Sequence, residues 1–434
     1  MSVTSYNAMP SHGPKPPLIM PLMVLVSLAA FVVPASSVNL PSALYYISVA
    51  LVFVSLGALF IKSDPGPLCK LEKIMLATWV FYPAFTALDL WLRAGWIWTE
   101  FQEPSRFLLV LPIFLLVRKV GVSQQAMTWG VFTGAVVAGG YGFYQNQWLG
   151  WHRSGGGTSG LIAAFGDISL ILGAMCIALF QTQWSKHKRW LIIAFVGLLL
   201  GVLGSLASGT KGGWISMPLL CWVAVDLLEK PTYRKRFAVM GAFFVAAFAF
   251  WYFVPFIQQR MGVMIPGIYE YFANGVIAEG SAGIRLALWH AATLIFIDNP
   301  LFGTGPGSYL VEKSAYVDLG LIPEQARPAS GPHSQFFNGI FESGIFGPLM
   351  VYSIYGSFIW YCRSHLVHSK GLATAGILMA VGFIDFGMFE VIWDINNAGV
   401  FYSVMMALIA GKLSHDQTAA NTRAAQISTF NLGY

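Results

Sequence analysis

The chain is dominated by a succession of apolar segments, separated by loops that are alternately richer and poorer in basic residues. Only helices and closed barrels can satisfy their backbone polar groups in lipid, so segments of this length read as membrane-crossing helices. The candidates are 18–35, 40–61, 73–91, 106–119, 124–146, 159–183, 189–208, 213–228, 236–256, 335–361, 371–390 and 395–412, twelve spans of which the fourth is short. The expected fold is therefore an all-α polytopic membrane protein with about twelve transmembrane helices.

The loops test that count. With the N-terminus inside, the outer side carries Arg93, Arg106, Arg153, Lys211, Arg260, Arg285, Lys313 and Arg327, and the other seventeen of the 25 lysines and arginines fall in inner loops. Every inner loop is then basic, as the positive-inside rule requires, and a missed span would invert all later loops. Composition agrees: 56% of residues are hydrophobic and 10% are charged, against roughly 25% charged in a soluble domain. Aromatic residues, at 15%, suit belts at the two interfaces. A pI near 9.0 could point to nucleic acid, but the basic residues sit in short loops between apolar spans, which is membrane topology. Cys69, Cys176, Cys221 and Cys362 form no CxxC pair and no metal-ligand spacing, and none falls on the outer face, so neither a disulfide framework nor a zinc site is expected. The first apolar run lacks a small-residue cleavage site, so no cleavable signal peptide is expected.

Three regions follow: spans one to nine in 1–256, an outer loop at 257–334, and spans ten to twelve with an inner tail in 335–434. The loop is the only long hydrophilic stretch, and long loops in compact folds are usually functional. It holds its own helix, which Ser281 can cap. The run from Gly283 to Ile297 is amphipathic enough to lie on the membrane surface. Asn299-Pro300 ends it, Gly303, Gly305 and Gly307 make a tight turn, and the stretch PEQARPASGPHSQ leads into the tenth span.

Four basic residues on this face have distinctive settings. Arg153 lies in WHRSGGG, Lys211 in SGTKGG, Arg285 in GIRLALW and His333 in GPHSQFFNG. A helix starting directly after Pro332 places the His333 imidazole near free N–H groups. That environment disfavours the imidazolium and leaves a ring able to act as a general base. The plainer alternative is an interfacial histidine with a structural hydrogen bond. Arg285 could equally snorkel to the surface, and the glycines beside Arg153 and Lys211 either admit a phosphate or simply turn the chain. Together these residues put several cations at one membrane face, where a lipid-linked phosphate would lie. Asp167 and Asp385 fall inside spans, where ionisable groups are costly and often functional, whereas Asp89 and Arg93, at i and i+4, can pair. No DxD-type carboxylate pair appears on the outer face, which favours cationic side chains over a metal as the clamp for a diphosphate.

The segments GIRLALWHAATLIFIDNPLFGTGPGSY and PHSQFFNGIFESGIFG resemble the bacterial O-antigen ligase and polymerase superfamily. The resemblance rests on Arg285, Asn299-Pro300, Gly303 and Gly305, His333, Glu342 and Gly344. Two positions depart from the family pattern: Ser334 stands where Asn commonly follows the histidine, and Thr210-Lys211 stands where Ser-Arg is common. Lysine keeps the charge but loses bidentate phosphate recognition. The resemblance implies a membrane-integral glycosyltransferase of the bacterial inner membrane, with its site facing the periplasm and both termini cytoplasmic. The implied donor is a polysaccharide on undecaprenyl diphosphate, and the implied acceptor for a ligase is a sugar hydroxyl of the lipid A–core, as in lipopolysaccharide biosynthesis.

The expected chemistry is a metal-independent, cofactor-free inverting displacement, with His333 as base and Arg285, Arg153 and Lys211 on the diphosphate. An O-antigen or exopolysaccharide polymerase, or a protein O-glycosyltransferase, would use the same donor. A lipid-linked sugar transporter or flippase is the rival from another class. Asp167 and Asp385 would suit it, but the paired halves with broken helices usual in transporters are not evident. A cavity under the long loop, open sideways to lipid, is also expected.

Overall fold

A computed structural model describes residues 18–61, 65–93, 95–157, 162–228, 230–275, 277 and 281–431. Lys15, Lys62, the side chain of Arg260 and the expected cap at Ser281 lie outside the described residues. Among the described residues the chain is helical throughout, without strands. The first half contains α1 (Ile19–Ser36), α2 (Pro41–Ala58), α3 (Lys70–Leu92), α4 (Trp98–Leu109), α5 (Leu111–Val120), α6 (Gln124–Phe143) and α7 (Ile162–Leu179). Then come α8 (Gln181–Trp184), α9 (Arg189–Ser208), α10 (Lys211–Ala224) and α11 (Tyr233–Phe253). The long loop holds α12 (Pro255–Gly262), α13 (Met264–Asn274), α14 (Ser281–Asp298) and α15 (Tyr309–Asp318). The chain closes with α16 (Gln335–Ser343), α17 (Phe346–Ser364), α18 (Lys370–Phe389) and α19 (Asn396–Asn431).

Eight of these helices are long and apolar enough to cross a membrane: α1, α2, α3, α7 with its extension to Trp184, α9, α11, α18 and α19. The other four expected spans coincide with segments that are shorter, less apolar or broken. The fourth divides at Val110 into α4 and α5, where Pro112 enters the new first turn. The tenth divides at Gly344, whose φ of 57° no helix accommodates.

Burial separates lipid-facing from interior helices. Nearly every side chain of α7 and α18 is buried, whereas α11 buries none and stands at the edge. Glycine permits the closest helix contacts, as at Gly130 of α6, where a Cβ would come within 2.3 Å of the Phe31 carbonyl oxygen on α1. On the face away from the long loop, Arg118 is buried against Glu72 (3.3 Å), Ser414 and two backbone carbonyls. Glu72 also completes a capping box with Cys69 at the start of α3.

The loop builds its own core. Ala287, Leu288, Ala291, Ala292 and Ile295 of α14 pack with Tyr309, Val317, Ile322, Ala326 and Phe341. This corrects the expectation of a surface-lying helix: the apolar face of α14 is covered by protein, because α15 and the segment after it fold back over it. Its other side reaches α16 through Trp289, which stacks on Phe337 at 5.0 Å.

Candidate functional site

Local sequence explains how each cation reaches the site. Gly209 takes a left-handed turn (φ 63°), Thr210 is the extended N-cap, and α10 then begins at Lys211. Gly209, Thr210, Lys211 and Gly212 line a cavity of about 100 Å³. A helix start of this kind supplies free N–H groups and positive potential for an anion.

Arg153 enters the same cavity from the loop after α6. Its Nε donates to the Ser208 carbonyl at 2.8 Å, and the neighbouring Ser154 N–H donates to the Ala207 carbonyl at 3.0 Å. The adjoining glycines are packing residues: a Cβ at Gly156 or Gly157 would come within 2.1 or 1.9 Å of the carbonyl oxygens of Val38 and Asn39. They press the loop against the α1–α2 turn rather than opening it to a ligand.

Arg285 enters from α14 and completes a set of three cations brought together from separate parts of the chain. Burial lowers its pKa from the ordinary arginine value, while the carboxylates of Glu390 and Asp167 pull the other way. Asp167, on α7, lines the cavity, and its buried Oδ1 has no hydrogen-bond partner. Asp385, the second acid inside a span, is also buried with an unsatisfied oxygen, but it does not line the cavity.

Glu390 was not anticipated from the sequence, where it looks like an ordinary acid at the end of a span. One of its oxygens lies 3.8 Å from Arg285 and the other 2.8 Å from His333 Nδ1. A carboxylate only accepts, so Nδ1 is the donor in this contact. His333 itself differs from expectation. It is the one non-glycine with positive φ (49°) among the described residues, and α16 begins two residues later, at Gln335 with Ser334 as N-cap. Such a conformation costs about 1–3 kcal/mol and persists only where the surroundings impose it. Here they include the Glu390 contact and a hydrogen bond from Trp289 Nε1 to the Pro332 carbonyl at 3.0 Å.

The glycine-rich turn after Asn299-Pro300 lies elsewhere and is scaffolding. Thr304 N–H donates to the Phe341 carbonyl (2.8 Å), Gly305 N–H to Glu342 (2.9 Å) and Ile345 N–H to Pro300 (2.9 Å). The turn thereby satisfies backbone groups freed where the helix breaks at Gly344. Arg93 pairs with Asp89 at 2.8 Å, as the i, i+4 spacing suggests, and also donates to the carbonyls of Phe302 and Gly303. Glu342 is likewise absent from the cationic cavity. It lines a separate crevice of about 20 Å³ with Glu100, Glu103, Asp394, Gln335 and Tyr82.

A third cavity, of about 150 Å³, adjoins the cationic one and shares Lys211, Gly212, Arg285 and Phe389 with it. Its other walls are apolar: Ile215, Met264, Ile268, Leu286 and Trp289. The pocket lined by the three cations therefore adjoins an apolar crevice between α10 and the loop helices.

Fold and site together define an integral membrane protein with a cavity beneath its long loop that is lined by three cations and two acids. Residues 196–352 match the family model described as Wzy_C, O-antigen ligase. The segment bearing Lys211, Arg285 and His333 is thus similar to the O-antigen ligase family domain, in agreement with the resemblance read from the sequence, and this similarity supports a ligase- or polymerase-type function. An uncharacterized protein of Haemophilus influenzae (strain ATCC 51907 / DSM 11121 / KW20 / Rd) is 21% identical over 346 residues, covering 78% of this chain and 86% of its own.

Proposed function

We propose that this protein is an O-antigen ligase of the bacterial inner membrane, working at the periplasmic face with both termini in the cytoplasm. It transfers a polysaccharide from undecaprenyl diphosphate to a sugar hydroxyl of the lipid A–core. The observation that carries this reading is the meeting of Arg153, Lys211 and Arg285 at the start of α10, beside the His333–Glu390 pair and open to an apolar crevice. The diphosphate sits among the cations, and the first isoprene units run into the crevice.

In the reaction, His333 Nε2 removes the proton of the acceptor hydroxyl. The oxygen attacks the anomeric carbon from the face opposite the diphosphate. The bond from that carbon to the phosphate oxygen breaks, and the electron pair leaves with the diphosphate. Arg153, Lys211 and Arg285 stabilise the charge that grows there, a term worth about 2.7–4 kcal/mol for a single donor in a measured case. Glu390 holds the imidazole in the tautomer this step requires. No step involves a metal.

Purified protein incubated with the lipid-linked glycan and lipid A–core tests the reading. A new conjugate supports a ligase. Lengthening of the donor glycan alone identifies a polymerase, and movement across a bilayer without covalent product identifies a carrier.

A further inference from the structure

Lys313 reads in the sequence as one more cation on the loop, yet its side chain is fully buried in the small core of the loop. No carboxylate pairs with it among the described residues. Its Nζ instead donates to three backbone carbonyls of one short segment: Ala326 (2.8 Å), Arg327 (3.0 Å) and Ala329. These are the three bonds an ammonium can make. The Tyr309 ring lies 5.4 Å from the charge, and the Tyr309 hydroxyl donates to the Leu288 carbonyl on α14. The next residue, Trp289, holds the Pro332 carbonyl. The strap 326–332 is thus gripped at both ends by one frame, and the residue that follows it is His333 in its left-handed conformation.

We propose that Lys313 is a positioning residue for the transfer reaction: its ammonium gathers the strap carbonyls and so aims His333 at the cationic cavity. Three carbonyl oxygens converge on one spot, and only a donor with three hydrogens, such as the ammonium, satisfies all of them. The inference rests on His333 being the base of the proposed reaction. Burial pushes the Lys313 pKa down to about 8, with Arg327 adding to the effect. Arg327 is the charged neighbour on the strap, tied in turn to Asp318 and Glu324, and Tyr309 is the titratable neighbour on the lysine's own helix. As pH rises through about 8 the grip loses its charge. Fold stability moves the other way, because the penalty for burying the charged form disappears between that pH and the unfolded value of about 10.4.

The test compares wild type, Lys313→Met and His333→Ala, all full-length in nanodiscs. It measures kcat for transfer, the Kd for undecaprenyl diphosphate, and amide hydrogen exchange across the strap 326–332. Lys313→Met is expected to lose about 100-fold in kcat with Kd unchanged, and to exchange its strap amides about 10-fold faster or more. Wild-type kcat in Lys313→Met overturns the inference, while a dead His333→Ala leaves the base assignment standing. Full transfer by His333→Ala overturns the base assignment and with it the inference. Should Lys313→Met fail to accumulate, the wild-type pH profile decides. A kcat that falls through about pH 8 at steady Kd supports the clamp, and a flat profile to pH 9.5 (about 1.5 units above the lysine's value) refutes it.

Discussion

Two cavities, one lined from the starts of α10 and α14 and one from α16, differ in charge and in construction. One gathers Arg153, Lys211 and Arg285 around a helix start. The other gathers Glu100, Glu103, Glu342 and Asp394. In the acidic crevice the polar groups satisfy one another: Glu103 accepts from the Tyr82 hydroxyl at 2.8 Å and from Gln335 Nε2 at 3.1 Å, and Gln335 Oε1 accepts from the Trp393 N–H at 3.2 Å. The cationic cavity is wider and continues into an apolar crevice. A closed network of this kind fixes where α16 sits, whereas the cationic cavity is roomier and gathers its charges from three separate parts of the chain. The charge of a cavity is thus a poorer guide to function than its room and what it opens into.

Removing the base breaks the comparison most severely. His333→Ala should lower the transfer rate by about 10²–10⁴-fold while undecaprenyl diphosphate still binds, as single-turnover and binding assays would report. Arg285→Ala should cost about 10²–10³-fold in kcat, with Arg285→Lys recovering only part because the planar fork is lost. Glu390→Gln should cost about 10–100-fold, seen mainly in kcat, since the amide keeps the shape but no longer fixes the tautomer. Glu103→Gln, in the acidic crevice, should change kcat little. It should lower stability by about 1–3 kcal/mol in denaturant titration, because the amide cannot accept from both Tyr82 and Gln335 with the strength of a carboxylate.

Arg285 and His333 were legible because they sit in an ordered motif, and Lys211 and Arg153 because cations on one membrane face invite a common reading. The sequence could not show that Asp167, several helices away, would join them, since that depends on how α7 packs against α10. Glu390 was hidden for the same reason: 57 residues separate it from His333, and an acid ending a span has no pattern of its own. The run in α14 reads from the sequence as a surface-lying helix, but a run of apolar residues does not say whether lipid or protein covers it; here the loop core does. The breaks at Val110 and Gly344 carried visible proline and glycine, yet hydropathy averages across them. Lys313 misled most, because a lysine buried against three carbonyls has the same sequence signature as one in water.

The account depends above all on the diphosphate lying among the three cations. The most direct measurement is the Kd of undecaprenyl diphosphate for wild type, Arg153→Ala, Lys211→Ala, Arg285→Ala and Glu103→Gln, in excess chelator and at two salt concentrations. Each loss of a cation should weaken binding by about 10-fold or more, with reduced salt sensitivity, while Glu103→Gln binds as wild type. Unchanged binding in all three cation variants, or loss of binding on chelation, would contradict it.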